Sequence, residues 1–323
     1  MSSHTGHMAI RLFMFSAFFT TMPPPAGPDT TPGTKPLLPD ISKGHIMNRI
    51  TKRLALTFTL LLTVIGNMAQ AGNNDNPVLS RIEQRGELVL GTSANMPPMT
   101  YKQPNGKNIG LDIDVARVMA DALGVKLKIK TLPFNELLPA LQDGKLDVVI
   151  SNMTITPERN RRVAFVGPYM SSGKCFITKL ADLARAEQSD NLNTPKTRIV
   201  VMQGSTSENF IKTLWPKATL TTTTDLKSGI EMVKNDKVGA LMTDYPVCLS
   251  TLKNYPDAGF VSLFSLLNYE PIGIALPAND PLFVNWTEHF LERLDATGTL
   301  NEIGAHWFGE YADAIKAGAL NAE

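Results

Sequence analysis

From residue 88 onward, short apolar runs alternate with segments whose apolar positions recur at helical spacing. Leu88-Val89-Leu90 is a run closed by Gly91 and predicts a strand. Over residues 110–123, Leu111, Val115, Val118, Met119 and Ala122 share one helical face, and Gly124 supplies the stop. Residues 126–131 alternate Leu127 and Ile129 with lysines, which predicts a strand. A helix over 134–141 ends at Asp143-Gly144, and 147–150 reads as a buried strand. A second unit repeats the order. Residues 198–202 predict a strand, Gln203-Gly204-Ser205-Thr206 a turn opening a helix towards Leu214, and 219–223 another strand. Residues 225–235 predict a helix with Asp225 as N-cap. Residues 238–242 predict a strand that ends at Thr243-Asp244, and 272–276 one more. A helix with Phe283, Trp286, Phe290, Leu291 and Leu294 on one face follows, then a last helix around 300–307.

This alternation predicts an α/β fold of parallel strands joined by crossover helices. The units span 77–174 and 175–270. The remainder, 271–323, is too small to stand alone. Returned to the first unit, it gives lobe 1 as 77–174 plus 271–323 and lobe 2 as 175–270. The chain then crosses between lobes twice, which makes a hinge and a ligand cleft at the strand ends.

The N-terminal pattern differs. From Met47, the positive residues Arg49, Lys52 and Arg53 precede an apolar run over 54–65, and Ala69-Gln70-Ala71 follows. That is the order of a secretory signal peptide over 47–71, cleaved on export to the periplasm. The run is shorter than the ~20 apolar residues a membrane span needs. Residues 1–46 hold a second short apolar patch and a Pro/Gly/Thr-rich stretch. They fit neither signal nor fold and are expected to be a disordered, non-native upstream extension.

The formal net charge is +1, so the chain lacks the basic footprint of a nucleic-acid binder. No G-x-x-x-x-G-K-[ST] motif is present, so any ATPase or permease is a separate chain. His289 and His306 stand alone, and no metal or cofactor is expected. Export permits a disulfide between Cys175 and Cys248, although two buried free thiols are the preferred expectation.

The candidate chemistry lies at strand ends. Residues 151–165 read SNMTITPERNRRVAF and follow a predicted strand. Asn152 and Thr154 offer polar groups there, and the Arg159 guanidinium can donate two parallel hydrogen bonds to a carboxylate. Taken by composition alone, Arg159, Arg161 and Arg162 are a solvated surface run. Ser205 and Thr206 stand where a helix N-terminus could meet an anionic oxygen, or where they simply cap that helix. Asp244 could meet an ammonium group or cap the helix after it.

In order and spacing, these landmarks resemble the family 3 extracellular solute-binding proteins, the polar amino-acid receptors of ABC importers. The shared landmarks are Gly91-Thr92, the stretch 110–116 (GLDIDVA), 147–165, Gln203-Gly204-Ser205-Thr206 and Asp244. The resemblance implies a two-lobed periplasmic binding protein of type II. It implies that Arg159 holds the ligand α-carboxylate with Thr206 above it, that Asp244 holds the α-ammonium, and that Asn152 and Thr154 help hold main-chain groups. The pocket departs from the pattern. Ser93 stands where many members carry an acidic or polar residue, and Met96 and Met99 stand near positions of aromatics. A neutral amino acid is therefore the expected ligand, with Met96 as an adaptable wall and Phe134 as an aromatic one. Glu270 is expected at the hinge or surface.

The expected function is capture of a small neutral amino acid by a monomeric, non-enzymatic receptor that delivers it to an inner-membrane ABC permease. Two alternatives stand beside it. One is a sensing module for a membrane signalling protein. The other is an enzyme resembling periplasmic cyclohexadienyl dehydratases, in which a glutamate lies three residues beyond the strand-end aspartate. Here Val247 holds that place and can carry no proton, so Glu270 would have to stand in.

Overall fold

The computed structural model describes residues 76–180, 192–264 and 268–309. The expectations for 1–46 and 47–71 lie outside these residues. The first lobe opens with helix α1 (Pro77–Arg85), started by its proline and closed by Gly86 in the left-handed region at φ 64°. Strand β1 (Glu87–Thr92) follows. A small antiparallel sheet is built from β2 (Asn95–Met96), β3 (Thr100–Lys102) and β4 (Asn108–Ile109). Next come α2 (Leu111–Ala122), β5 (Lys126–Thr131), α3 (Phe134–Gln142), β6 (Val148–Val149), the short α4 (Pro157–Asn160) and β7 (Ala164–Ser172).

The second lobe contains β8 (Lys174–Thr178), β9 (Arg198–Met202), α5 (Thr206–Leu214), β10 (Thr219–Thr223), α6 (Leu226–Lys234), β11 (Ala240–Asp244), α7 (Tyr245–Asn254) and β12 (Val261–Phe264). Asp225 caps α6, its carboxylate accepting the Ser228 N–H at 2.8 Å. The chain then returns to the first lobe with β13 (Glu270–Leu276), α8 (Pro281–Ala296) and α9 (Thr299–Phe308).

Each lobe has a five-stranded sheet, ordered β5-β1-β6-β13-β7 in the first and β10-β9-β11-β8-β12 in the second. The expected parallel pairing holds for β1 with β5 and β6, and for β9 with β10 and β11. It fails at the crossovers. Strand β13 is antiparallel to β6 and β7, and β8 is antiparallel to β11 and β12. The reason is connectivity: β7 runs into β8 through Gly173 alone, so no crossover helix can turn the strand round.

Burial follows the pattern in sequence. Strand β5 alternates exposed lysines with half-buried Leu127 and Ile129, as an edge strand should, whereas β9 is buried after Arg198. The first-lobe core joins Leu88, Leu90, Ile113, Met119 and Ile274 with Phe283, Phe290 and Leu294 of α8. Two buried carboxylates tie distant segments to it. Asp280 caps α8 at the Phe283 N–H and also accepts the N–H groups of Val78 and Leu79 in α1. Asp147 accepts the Val89 N–H and pairs with Arg81 and Arg85. Among the described residues no helix is long and apolar enough to cross a membrane.

The preference for free thiols is overturned. Cys175 and Cys248 form a disulfide, with their Cα atoms 6.5 Å apart. Cys175 lies on β8 and Cys248 on α7, and α7 packs against β8, which brings two sulfurs 73 residues apart in sequence into reach. A link closing so long a loop contributes about 2–4 kcal/mol. The double substitution Cys175→Ser/Cys248→Ser is expected to lower Tm by roughly 5–15 °C. Calorimetry with and without reductant checks this: reductant should bring the native protein down to the variant and leave the variant unchanged.

Candidate binding cleft

Two strand ends meet between the lobes. The segment after β6 carries Asn152, and β11 ends at Asp244. The Asn152 side-chain amide donates to Asp244 Oδ2 at 2.8 Å and so joins the two lobes. Asn152 has φ 48°, a left-handed conformation that asparagine tolerates better than most residues. Its backbone N–H donates to Asp112 Oδ2 at 2.7 Å. The segment is held further by the Ser151 hydroxyl, which accepts the Ser93 N–H at 2.9 Å, and by a bridge from Thr154 to Ile272 of β13.

Arg159 is turned into this region by α4. Thr156 caps that helix by accepting the Arg159 N–H at 3.1 Å, and Pro157 starts it. Arg159 Nη1 donates to the Thr154 carbonyl at 2.7 Å, and Nη2 donates to the Gly204 carbonyl across the cleft at 3.0 Å. Its guanidinium carbon lies 5.6 Å from the centre of the Phe134 ring, a cation–π distance. Burial pulls the guanidinium below its ordinary pKa, opposed by the charges of Glu270, Asp244 and Glu158. Among the described residues no carboxylate is within ion-pair distance of Arg159, so part of its donor fork remains available.

On the second lobe, Ser205 caps α5 by accepting the Glu208 N–H at 3.2 Å, and the Glu208 carboxylate accepts the Gly204 N–H at 2.7 Å. The Ser205 oxygen is therefore engaged in ending the helix. Thr206 faces the charges instead: its hydroxyl donates to Glu270 Oε2 at 2.9 Å and accepts from Lys174 Nζ at 2.6 Å. Gly204 is required here. At φ 76° its position disfavours other residues, and an added Cβ would stand 2.8 Å from Asn135 Cβ on α3 of the opposite lobe.

Lys174 and Glu270 complete the cluster. Lys174 is 1 % exposed, with Nζ 2.6 Å from Asp244 Oδ1 and 3.4 Å from Glu270 Oε1. Glu270 is also buried, which overturns the surface expectation, while its place beside the return crossover agrees with the hinge one. It does open the return strand, but the Thr206 hydroxyl, the Asn268 amide and Lys174 enclose its carboxylate. Sequence reasoning missed Lys174. The available signal was a lysine opening the apolar run Cys175-Phe176-Ile177, a place where an uncompensated charge would not be tolerated.

The apolar candidates divide. Met96 and Phe134 are buried in a cluster that continues through Met153 to Met202, Leu226 and Ile230 of the second lobe. Met99 belongs to the first-lobe core and forms no wall of the cleft. Val247 is buried in the cluster that holds Met96.

Behind the site, the fully buried Asp112 accepts hydrogen bonds from the Tyr169 hydroxyl at 2.7 Å and from the Asn152 N–H. Burial pushes its pKa up to about 7, against the lowering effect of those two bonds.

Likenesses to known proteins bear on this arrangement. The family model described as bacterial extracellular solute-binding proteins, family 3, matches residues 88–310. The chain is 25% identical over 266 residues to the probable amino-acid ABC transporter-binding protein of Haemophilus influenzae, covering 80% of this chain and 98% of that one. It is 26% identical over 229 residues to the cyclohexadienyl dehydratase of Pseudomonas aeruginosa, covering 71% and 85% respectively. Among solved structures, the ancestral amino acid-binding protein AncCDT-1, a precursor of cyclohexadienyl dehydratase, matches with TM-score 0.66 and 34% identity. That match covers 71% of this chain and 98% of that one.

Asp112 generates a pH prediction. Its folded pKa lies above the ordinary 3.8, so its contribution to stability is fully present below about pH 4 and is lost as pH rises towards 7. Asp112→Asn should remove that slope, which approaches about 1.4 kcal/mol per pH unit. Urea unfolding of both proteins between pH 4 and 8 checks it: the difference in stability should move in favour of the variant up to about pH 7 and then level off.

Proposed function

Because the chain belongs to family 3 of the bacterial extracellular solute-binding proteins, we propose that it is a periplasmic receptor that captures a small neutral amino acid for an ABC-type importer. The observation that carries this reading is the pairing of charges across the cleft. Arg159, with no carboxylate partner among the described residues, stands on the first lobe with Glu270 beside the crossover, and Asp244 stands at a strand end of the second. In this reading Arg159 receives the ligand carboxylate and Asp244 the α-ammonium. Asn152, Thr154 and Thr206 border the polar end, and Ser205 supports Thr206 by ending α5. Phe134 and Met96 flank the ligand's apolar side.

The formal charges of Arg159, Lys174, Asp244 and Glu270 cancel. A ligand without net charge keeps that balance in a closed cleft, whereas a charged one leaves a buried charge uncompensated. Groups of both lobes touch across the cleft, so a ligand that adds contacts to each favours the closed form. The segment 47–71 would direct export and be removed, and the mature protein would dock as a monomer on a separate permease.

A thermal-shift screen against the common amino acids tests the reading. A ligand at a hundredfold excess over Kd stabilises by about 2.7 kcal/mol, which corresponds to roughly 5–10 °C for a chain of this size. One or a few neutral amino acids should give that shift. Arg159→Ala and Asp244→Ala should each abolish it while circular dichroism stays native. Shifts retained in both variants would remove the assigned roles.

One observation favours a second reading as an enzyme. Glu270 is a buried carboxyl group inside the cleft, where a side chain that transfers a proton would have to stand. Purified protein that dehydrates prephenate or arogenate, and loses the activity in Glu270→Gln, would establish that reading over the receptor.

A further inference from the structure

The ammonium of Lys174 has three oxygens around it. Asp244 Oδ1 and Thr206 Oγ1 are each at 2.6 Å, and Glu270 Oε1 is at 3.4 Å. An ammonium carries three donors; two are taken by Asp244 and Thr206, and Glu270 lies within ion-pair distance. The remaining bonds to the two acids come from uncharged amides and a hydroxyl: Asn152 on Asp244, and Asn268 and Thr206 on Glu270. Two carboxylates thus share one resident cation, and the group keeps a surplus of one negative charge.

We propose that Lys174 is the residue that sets the charge class of the ligand. The acid pair can neutralise two cations. Lys174 permanently fills one place, which leaves one for the ligand. This rests on the reading above, in which the ligand is an amino acid whose carboxylate meets Arg159. An amino acid with an uncharged side chain brings one ammonium and completes the pairing. Arginine or lysine brings two cationic groups, so three cations would face two carboxylates inside a closed cleft. The unmatched charge would be desolvated without a partner, which selects against that ligand. Selectivity then comes from a charge that belongs to the protein rather than from the shape of the side-chain pocket. Without Lys174 the same pair of acids has two places open, and the preference should move to cationic amino acids.

The test is isothermal titration calorimetry of native protein and Lys174→Gln against L-arginine, L-lysine and a neutral panel of L-alanine, L-leucine, L-glutamine and L-phenylalanine. The native protein should bind its best neutral amino acid at least ~100-fold more tightly than L-arginine or L-lysine. Lys174→Gln should narrow or reverse that ratio by at least ~10-fold. A purely structural role for Lys174 would weaken both classes together and leave the ratio unmoved, which would overturn the proposal. Where Lys174→Gln fails to fold, Lys174→Met is read in the same way, and a native protein without the neutral preference overturns the proposal before any substitution is made. L-arginine or L-lysine binding as tightly as any neutral amino acid removes the role of Lys174 and leaves the amino-acid reading standing. Binding of neither class removes both.

Discussion

Lys174 holds two carboxylates together at the point where the chain passes from one sheet to the other. Backbone pairing prepares the cluster. In the antiparallel register of β8 and β11, Lys174 lies opposite Asp244, and in that of β13 and β7, Glu270 lies opposite Ser172, two residues before Lys174. The sheets therefore bring the three charged residues side by side, and only side-chain rotamers remain to be ordered. That matters because removing one partner from a buried charge cluster typically costs about 3–5 kcal/mol, while a fully partnered one is tolerated. Thr206, Asn152 and Asn268 supply the remaining hydrogen bonds.

The same register divides the contacts of the cleft into two kinds. The Lys174–Asp244 pair lies within one sheet, so rotation of the lobes leaves it intact. The contacts Lys174–Glu270, Thr206–Glu270, Asn152–Asp244 and Arg159–Gly204 each join elements of different lobes. Opening the cleft would break this second set together. The two crossovers lie beside the site, at Gly173 and just before Glu270, so the backbone that must change its dihedrals is next to the groups that sense the ligand. Gly204 marks the limit of closure, since its lack of a side chain lets the second lobe approach Asn135.

Much of this was legible in the sequence. The bounds of β5, β9 and β10 agree with simple alternation and apolar runs, and the Asp225 cap on α6 follows from its residue type. Asn152, Arg159, Thr206 and Asp244 could be placed at strand and helix ends because such ends are marked by a change from apolar to polar residues. What the pattern could not reveal depends on long-range pairing. A run such as 174–178 reads the same whether it pairs parallel or antiparallel, so the direction of β8 and β13 was lost. The disulfide depends on α7 lying over β8, a packing that residue spacing does not encode. Lys174 and Glu270 look like unremarkable charged residues until the register sets them against Asp244. The place of Met99 is hidden for a related reason: a loop methionine can turn inward or towards the cleft, and the sequence is the same in both cases.

The two basic residues of the cleft also divide the work by chemistry. An ammonium is a compact point charge with donors in three directions, which suits a position shared between two acids and a hydroxyl. A guanidinium presents its donors as a planar fork, which suits one carboxylate taken side-on. In this protein the ammonium of Lys174 is enclosed by oxygens of the chain itself, whereas the Arg159 fork bonds to carbonyl oxygens of Thr154 and Gly204 and meets the face of Phe134. Carbonyl oxygens orient a guanidinium without neutralising it. The arrangement leaves Arg159 positioned by both lobes and still electrostatically unmatched at close range, as a group awaiting a carboxylate would be. Exchanging the two residues would satisfy neither place: a lysine at 159 could not reach both carbonyls in one plane, and an arginine at 174 would overfill a space already closed around a single nitrogen.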